Sequence, residues 1–245
     1  MKRFGYAVIG AAVTAMLCGF SAPEATKNRA YYESRGEIIW EVPGESKRIA
    51  LTFDDGPYPE TTEPILDLLK EYHAKATFFV VGTRVERFPE TIKREVAEGH
   101  EVANHTFNHY FLQKKTTEMV QNEIVRTEEA LEQVTGKKPL LFRPPGGFYN
   151  EQMIAIAKKY GYTTVLWSWH QDTNDWRSPG VQKIVNKVLN NTRNGDIILL
   201  HDYVPRSMQT VEALKLILPE LQKRGYEMVT VSDLIHNRDS VLNPY

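Results

Sequence analysis

The chain has 245 residues, of which 42% are hydrophobic and 25% charged, with a formal net charge of −1. That length and apolar content fit one sizeable core rather than two, and the near-neutral balance leaves no electrostatic case for a nucleic-acid partner. No internal repeat or low-complexity segment appears.

In chain order, Lys2 and Arg3 precede an uncharged stretch over 4–22, long enough for a secretory h-region or a membrane-spanning anchor. The pattern predicts export, with residues 1–25 as signal peptide or anchor and Ala22 and Ala25 as candidate cleavage positions. The sole cysteine, Cys18, lies inside this leader behind a poor lipobox, so disulfides play no part in the remainder. Residues 23–36 are polar and read as a tether. The run 38–42, the Pro43-Gly44 turn and the run 48–53 predict a hairpin that leads into a buried strand. Residues 26–46 are therefore read as tether and lead-in hairpin, and 47–245 as the main domain.

Beyond the hairpin, strands and helices alternate. Helices are predicted over 60–72, 89–98, 117–134, 151–160, 181–190 and 208–223, several closed by a glycine such as Gly136, Gly161 or Gly225. Strands are predicted over 76–81, 101–103, 140–142, 163–167, 197–200 and 228–230, the first of them a continuous apolar run of buried type. This alternation predicts an α/β fold, either a parallel β/α barrel or a doubly wound sheet.

Two adjacent acids, Asp54 and Asp55, end the strand Ile49-Ala50-Leu51-Thr52-Phe53 and are followed at once by Gly56-Pro57. Neighbouring strand residues face opposite ways, so two acids serve one pocket only where the strand stops. Carboxylates this close are costly unless a cation or shared proton offsets them. A helix N-cap would explain one aspartate, not two. His105 and His109 stand at i and i+4, on one face if their segment is helical. A His-x3-His pair alone is more often surface or core, but with the acids it makes a reasonable set for Zn²⁺ or another divalent transition metal acting as a Lewis acid. Asp54 and Asp55, Arg143, Asp172 and His201 each lie at or just past the end of a predicted strand, and His105 follows another. Active sites of β/α barrels gather at that face.

Five segments in order resemble the motifs of the polysaccharide deacetylase family, the NodB-homology enzymes of carbohydrate esterase family 4. They are Thr52-Phe53-Asp54-Asp55-Gly56-Pro57, His105-Thr106-Phe107-Asn108-His109, Arg143-Pro144-Pro145-Gly146-Gly147, Trp169-His170-Gln171-Asp172-Thr173-Asn174-Asp175-Trp176 and Leu199-Leu200-His201-Asp202. Together they cover roughly residues 48 to 236. The resemblance implies a distorted, incomplete (β/α)7 barrel that hydrolyses N-acetyl groups. It implies Asp54 as general base, His201 as general acid, and Asp55, His105 and His109 as ligands of one divalent ion, zinc with cobalt or nickel as substitutes. Arg143 would tune Asp54, and Asp172 would tune His201, with Asp175 the runner-up. Trp176 and Leu199 would wall the acetyl pocket.

The third motif of the family usually carries Tyr after Pro-Pro, with its backbone N–H in the oxyanion hole. Here Gly146 keeps the donor but removes the aromatic wall. Among other histidines, His73 and His236 are expected at the surface, His100 in a structural place, and His170 near the site without a role. Trp167, Trp169 and Trp176 could offer sugar-stacking faces, though a strand tryptophan is more often core. The expected activity is removal of acetyl groups from N-acetylhexosamines of a polysaccharide, peptidoglycan first, by a monomer that is secreted or held at the membrane through residues 4–22. Chitooligosaccharide, an exopolysaccharide or acetylxylan are alternative substrates, and a non-catalytic wall-binding protein is the alternative from another class.

Overall fold

The computed structural model describes residues 27–242. The predicted leader, Cys18 and the candidate cleavage positions lie outside them. Among the described residues, no helix is long and apolar enough to cross a membrane.

Eight short strands form one sheet: β1 (Ile38–Ile39), β2 (Arg48–Asp54), β3 (Ala76–Val80), β4 (Glu101–Asn104), β5 (Leu141–Phe142), β6 (Thr163–Val165), β7 (Ile197–His201) and β8 (Glu227–Met228). Their order is β1-β6-β5-β4-β3-β2-β7, with β8 beside the start of β2, and every pairing is parallel. Helices follow most strands and cover the outside, giving the distorted, incomplete (β/α)7 barrel expected.

Period-two alternation sorts the strand residues into two packed sets. Ile49, Leu51, Phe53, Phe78, Val80, Ile198 and Leu200 face outward and pack on helix residues such as Ile65, Leu69, Leu214 and Ile217. Ala50, Phe79, Ala103, Leu141, Val165 and Ile197 face inward, where Val42, Val229, Val231 and Leu234 complete their cluster. Complete burial of each aliphatic or phenyl side chain stabilises by about 1.5–3 kcal/mol, so both faces hold the strands. Above the inward layer, toward the strands' C-terminal ends, the next inward positions are Thr52, Asp54 and His201. The interior thus turns from apolar to polar within two residues.

The lead-in hairpin does not form. Both edges of β2 are taken, by β3 over Leu51 to Asp54 and by β7 over Ala50 to Asp54, so no edge remains for an antiparallel partner. β1 instead runs parallel to β6, with Ile38 opposite Thr164 and Ile39 opposite Val165. The chain then crosses to the far edge strand, where Val42 N donates to Gly195 O at 2.8 Å and Glu41 bridges Asp196. Residues 38–42 therefore span the gap that leaves the barrel incomplete. Gly195, at φ 82°, is needed there, because a Cβ would lie 1.9 Å from the Val42 carbonyl.

Nor is the described part of the expected tether detached. Arg29–Ser34 is a short helix whose Asn28 cap accepts from Tyr31 N at 3.1 Å. Tyr32, Ile38, Trp40, Ile154 and Leu166 are buried together in a separate cluster. Two further helices escape the apolar periodicity. Gly82–Arg87 begins on a glycine with no side-chain cap, one residue after β3. Val231–Leu242 follows directly on the expected last strand over 228–230, which forms one residue earlier and shorter, as Glu227–Met228.

Trp40, 5% exposed, is the test of this closure. Trp40→Ala should cost about 3–5 kcal/mol in urea denaturation, the range for burying tryptophan in a core. A detached tether would keep the change within about 0.5 kcal/mol.

Candidate active site

β2 delivers Asp54, 3% exposed, to the inward face, and the chain then turns through Asp55 at φ 77°. The turn is pinned from the neighbouring strand. Asp202 N donates to Asp54 O at 3.2 Å, and Thr62 Oγ1 donates to Asp202 Oδ2 at 2.6 Å. The Asp202 carboxylate packs so close to Gly56 that a Cβ there would sit 1.9 Å from Oδ2, which is why glycine follows the acids. Burial first, then the Asp55 charge, push the Asp202 carboxyl up to about 7 against the opposing bond from Thr62.

Arg143 follows β5 and is fully buried beneath Asp54. Its Nη1 donates to Asp54 Oδ1 at 2.6 Å and to Thr52 Oγ1 at 2.9 Å; Nε donates to Val165 O at 3.1 Å and Nη2 to Leu166 O at 2.8 Å. Its guanidinium also lies over the Phe79 ring at 3.9 Å. Burial pulls its pKa down, and Asp54 works against that.

The two histidines do not sit on a helix. β4 stops at Asn104, and Thr106 and His109 take left-handed backbone, with φ 70° and 57°. The loop is held instead by side chains: Asn104 Oδ1 accepts from Thr106 N at 2.9 Å, and the buried Glu123 accepts from Asn108 N and Nδ2 at 2.7 and 2.6 Å. Both rings still converge on Asp55 Oδ1, with His109 Nε2 at 2.9 Å and His105 Nε2 at 3.4 Å. Burial pushes the Asp55 carboxyl up, but the neighbouring His105 and His109 imidazoles hold it far below the usual carboxylate range. Burial pulls His109 down and Asp55 more than reverses this, so its pKa is raised.

These three residues fit a metal ion on a structural ground. His105 Nδ1 lies 2.7 Å from Arg143 O, a carbonyl that only accepts, so Nδ1 carries a proton, and in the neutral imidazole Nε2 turns a lone pair to Asp55. Asp55 Oδ1 is itself buried without a hydrogen-bond partner. Acceptors facing one another at this range need a cation or a proton between them. The three ligand atoms lie within 4.8 Å of one another.

His201 ends β7 directly opposite Asp54 on β2. Its partner is Asp175, not Asp172: Nδ1 lies 2.7 Å from Asp175 Oδ1, while Asp175 Oδ2 accepts from His201 N at 2.8 Å and Thr210 Oγ1 at 2.7 Å. The reason is a reversal of the chain. Asp172 bridges Leu199 and Thr173 Oγ1 donates to Leu199 O at 2.8 Å; Asn174 then takes φ 53°, which turns the next residue inward. Asp172 is left outside, accepting from Asn174 N at 3.0 Å. Burial lowers the His201 pKa, and the Asp175 charge and hydrogen bond outweigh it, raising it to about 9.

Leu199 is buried, two residues below His201 on the same face, while Trp176 stands half-exposed at the rim with Arg177 over its ring at 4.4 Å. Gly146 has φ 66°, and a Cβ there would meet the Phe111 ring at 2.9 Å and the Phe148 ring at 3.0 Å. Phe111 and Phe148 pack edge-to-face at 5.9 Å, with His109 6.4 Å from Phe111, so an aromatic wall stands here from residues that sequence reasoning passed over. Their signal was position: each follows a motif within two residues. His170 pairs with Asp196 at 3.0 Å, and His100 Nδ1 accepts from Ala76 N at 3.2 Å.

A sequence profile described as polysaccharide deacetylase matches residues 41–165. A peptidoglycan-N-acetylglucosamine deacetylase of Bacillus cereus is 51% identical over 207 residues, covering 84% of this chain and 97% of that protein. The peptidoglycan-N-acetylglucosamine deacetylase of Listeria monocytogenes is 40% identical, covering 84% of this chain but only 43% of its own greater length. Among solved structures, the Bc1960 peptidoglycan N-acetylglucosamine deacetylase superposes with a TM-score of 0.78 at 36% identity, covering 83% of this chain and 94% of that one.

The Asp175 contact makes a measurable claim. In metal-free protein, His201 should titrate near pH 9 by NMR. Asp175→Asn should bring it down, since burial is then opposed only by the Asp55 and Asp54 charges, and Asp172→Asn should leave it in place. A raised histidine pKa contributes stability that is complete below the unfolded value and lost as pH rises through the folded one. The Asp175→Asn loss in urea denaturation should therefore be larger at pH 6 than at pH 10.

Proposed function

The chain belongs to the polysaccharide deacetylase family, and from that premise we propose that it removes acetyl groups from N-acetylhexosamine units of peptidoglycan, releasing acetate. One observation carries the proposal. Asp54 and His201 stand opposite each other on adjacent strands, with the Asp55, His105 and His109 cluster beside them. Amide hydrolysis needs a base for water and an acid for the departing amine, and this arrangement supplies both across one reacting carbon.

Asp54 is the base in this reading. Its Oδ1 is committed to Arg143, which fixes the plane of the carboxylate, while Oδ2 faces the histidines, 3.7 Å from His105 Nε2. His201 is the acid. Asp175 holds Nδ1, so the proton to be donated sits on Nε2, and the raised pKa keeps it there at neutral pH. Each such transfer is worth about 10²–10⁴-fold in rate. Leu199 and Trp176 bound the space for the acetyl methyl, and the backbone N–H of Gly146 is the donor to the developing oxyanion.

We further propose that Asp55, His105 and His109 hold one divalent ion, with zinc the best match to two imidazoles and a carboxylate, and cobalt or nickel as substitutes. When bound, such an ion supplies Lewis-acid chemistry, polarising the carbonyl and easing deprotonation of water. All these residues come from one chain, which supports action as a monomer. A peptidoglycan substrate and the leader over 1–25 together support action outside the cytoplasm, released or held through residues 4–22.

Purified protein should release acetate from peptidoglycan, and from chitooligosaccharide more readily than from acetylxylan. It should carry about one divalent ion per chain by elemental analysis. His105→Ala and His109→Ala should lose that ion, whereas Asp54→Asn should retain it and lose turnover. No acetate from any N-acetylated glycan would sink the activity, and full turnover after chelation would sink the metal role. For export, the mature chain taken from outside the cytoplasm should begin within residues 23–27 if the leader is cut, and at Met1 in the membrane fraction if it anchors. Recovery from the cytoplasm alone would refute both.

A further inference from the structure

We propose that the catalytic rim selects an anionic glycan, and that Arg84 is the residue that receives a carboxylate from the peptide arms of the substrate. The inference rests on the reading of the site as a peptidoglycan deacetylase, and it adds what would separate that substrate from neutral chitin. Peptidoglycan alternates N-acetylglucosamine with a hexosamine whose lactyl ether carries a short peptide, and those peptides bear free carboxylates. Chitin has the same acetamides and no charge.

The arginines sort by partner. Arg29, Arg35, Arg48, Arg94 and Arg224 each pair with a carboxylate, as Arg143 does with Asp54. Among the described residues, Arg84, Arg126 and Arg177 have no carboxylate partner and lie instead over aromatic rings: Tyr203 at 3.4 Å, Phe107 at 3.6 Å and Trp176 at 4.4 Å. Each of those rings stands within two residues of the site. Tyr203 follows His201 and Asp202, Phe107 lies between His105 and His109, and Trp176 adjoins Asp175. A chain of net charge −1 thus keeps uncompensated cations around its catalytic residues.

Arg84 is half-buried, whereas Arg126 and Arg177 are exposed. It sits on the helix Gly82–Arg87, whose start is tied by backbone bonds to both loops that carry the acids and histidines. Val81 N donates to Gly56 O at 2.9 Å, Gly82 N to Thr106 O at 3.0 Å and Thr83 N to Phe107 O at 3.0 Å. Tyr203 packs edge-on against Tyr58 at 5.2 Å, and Tyr58 against Phe88 at 6.0 Å, where Arg87 lies over the ring at 5.1 Å. An aromatic strip bearing two guanidinium groups therefore runs beside the turn that holds Asp55. A ring beneath a guanidinium covers one of its faces and leaves the in-plane N–H groups open. That edge is the one that grips a carboxylate with two parallel bonds, and in a paired arginine it is already filled. The rim is thus complementary to an anion with a planar, two-oxygen head.

Two soluble peptidoglycan fragments test this, one with its peptide carboxylates free and the same one with them amidated. At low ionic strength, kcat/KM of the full chain should be about tenfold higher on the free form, the worth of one hydrogen bond to a charged group. Added salt should shrink that ratio by screening the pair. Arg84→Ala should bring the ratio close to one, and Arg84→Lys should restore part of it, since lysine keeps the charge but not the fork. Arg224→Ala removes the same charge from a pair with Glu220 and should leave the ratio in place. Because the readout is a ratio on one protein, a general loss of folded enzyme cancels. Equal rates on the two fragments, or a ratio that Arg84→Ala leaves intact, would overturn the proposal while the deacetylase reading stands. Calorimetric binding of the same fragments repeats the comparison without turnover. A protein that releases no acetate yet prefers the free form through Arg84 would lose the deacetylase reading and keep the charge preference. One that binds both fragments alike, or neither, would lose the preference.

Discussion

Everything at the catalytic rim depends on the burial of one cation. Arg143 has no solvent exposure, and an isolated guanidinium in that position would be prohibitive without a matching carboxylate and full use of its donors. Asp54 supplies the charge, and Thr52, Val165 and Leu166 take further N–H groups. Removing either partner of such a pair costs about 3–5 kcal/mol, because the other is left buried and uncompensated. The same bonds tie the ends of β2 and β6 to the start of the loop after β5. Asp54 therefore cannot rotate: one oxygen is occupied, and the other faces His105.

A second charge balance is built on the first. Arg143 offsets Asp54 in a pair completed by carbonyl and hydroxyl acceptors, and His201 offsets Asp175 in one completed by backbone and hydroxyl donors. Asp55 is matched only by imidazoles, and His105 has its Nδ1 proton committed to a carbonyl. The pocket is thus complete except at one point, where two imidazoles converge on Asp55. Burial magnifies each of these terms, since charges attract and repel more strongly away from water. Asp202, raised to about 7 behind the Asp55 turn, is shifted chiefly by burial, with the Asp55 charge adding to it.

Local patterns were legible where they coincide with long-range ones. A buried strand ending in two acids, and histidines after another strand, can be read from Thr52 to His109 because barrel strands all point their ends to one face. The pairing of segments was not legible. Residues 38–42 carry the signals of a hairpin, but the free edges of β6 and the start of β7 compete for them, and β2 has no edge to offer. Asp172 and Asp175 are equivalent candidates by spacing; the left-handed turn at Asn174 separates them, and it is a property of the Leu199 contact, not of the motif. His105 and His109 satisfy a helical spacing in a loop held by Glu123, fourteen residues beyond the second histidine by count and invisible to any local rule. The glycine in place of the usual tyrosine reads as a loss, whereas Phe111 and Phe148 occupy that volume.

The crossing of residues 38–42 from β6 to β7 also sets an order in time. Ile38 pairs with Thr164, and Val42 with Gly195, so the earliest described strand waits for partners more than a hundred residues downstream. Such distant pairings slow folding, because loop entropy is lost before the contacts form. During synthesis, β2 to β5 can assemble while the ring is still open, but the seam cannot close until β7 has emerged. Ile38 and Trp40 stay uncovered until Ile154, Thr164 and Leu166 have emerged, and Val42 waits longer still, for Gly195, so the nascent chain needs shielding along this segment.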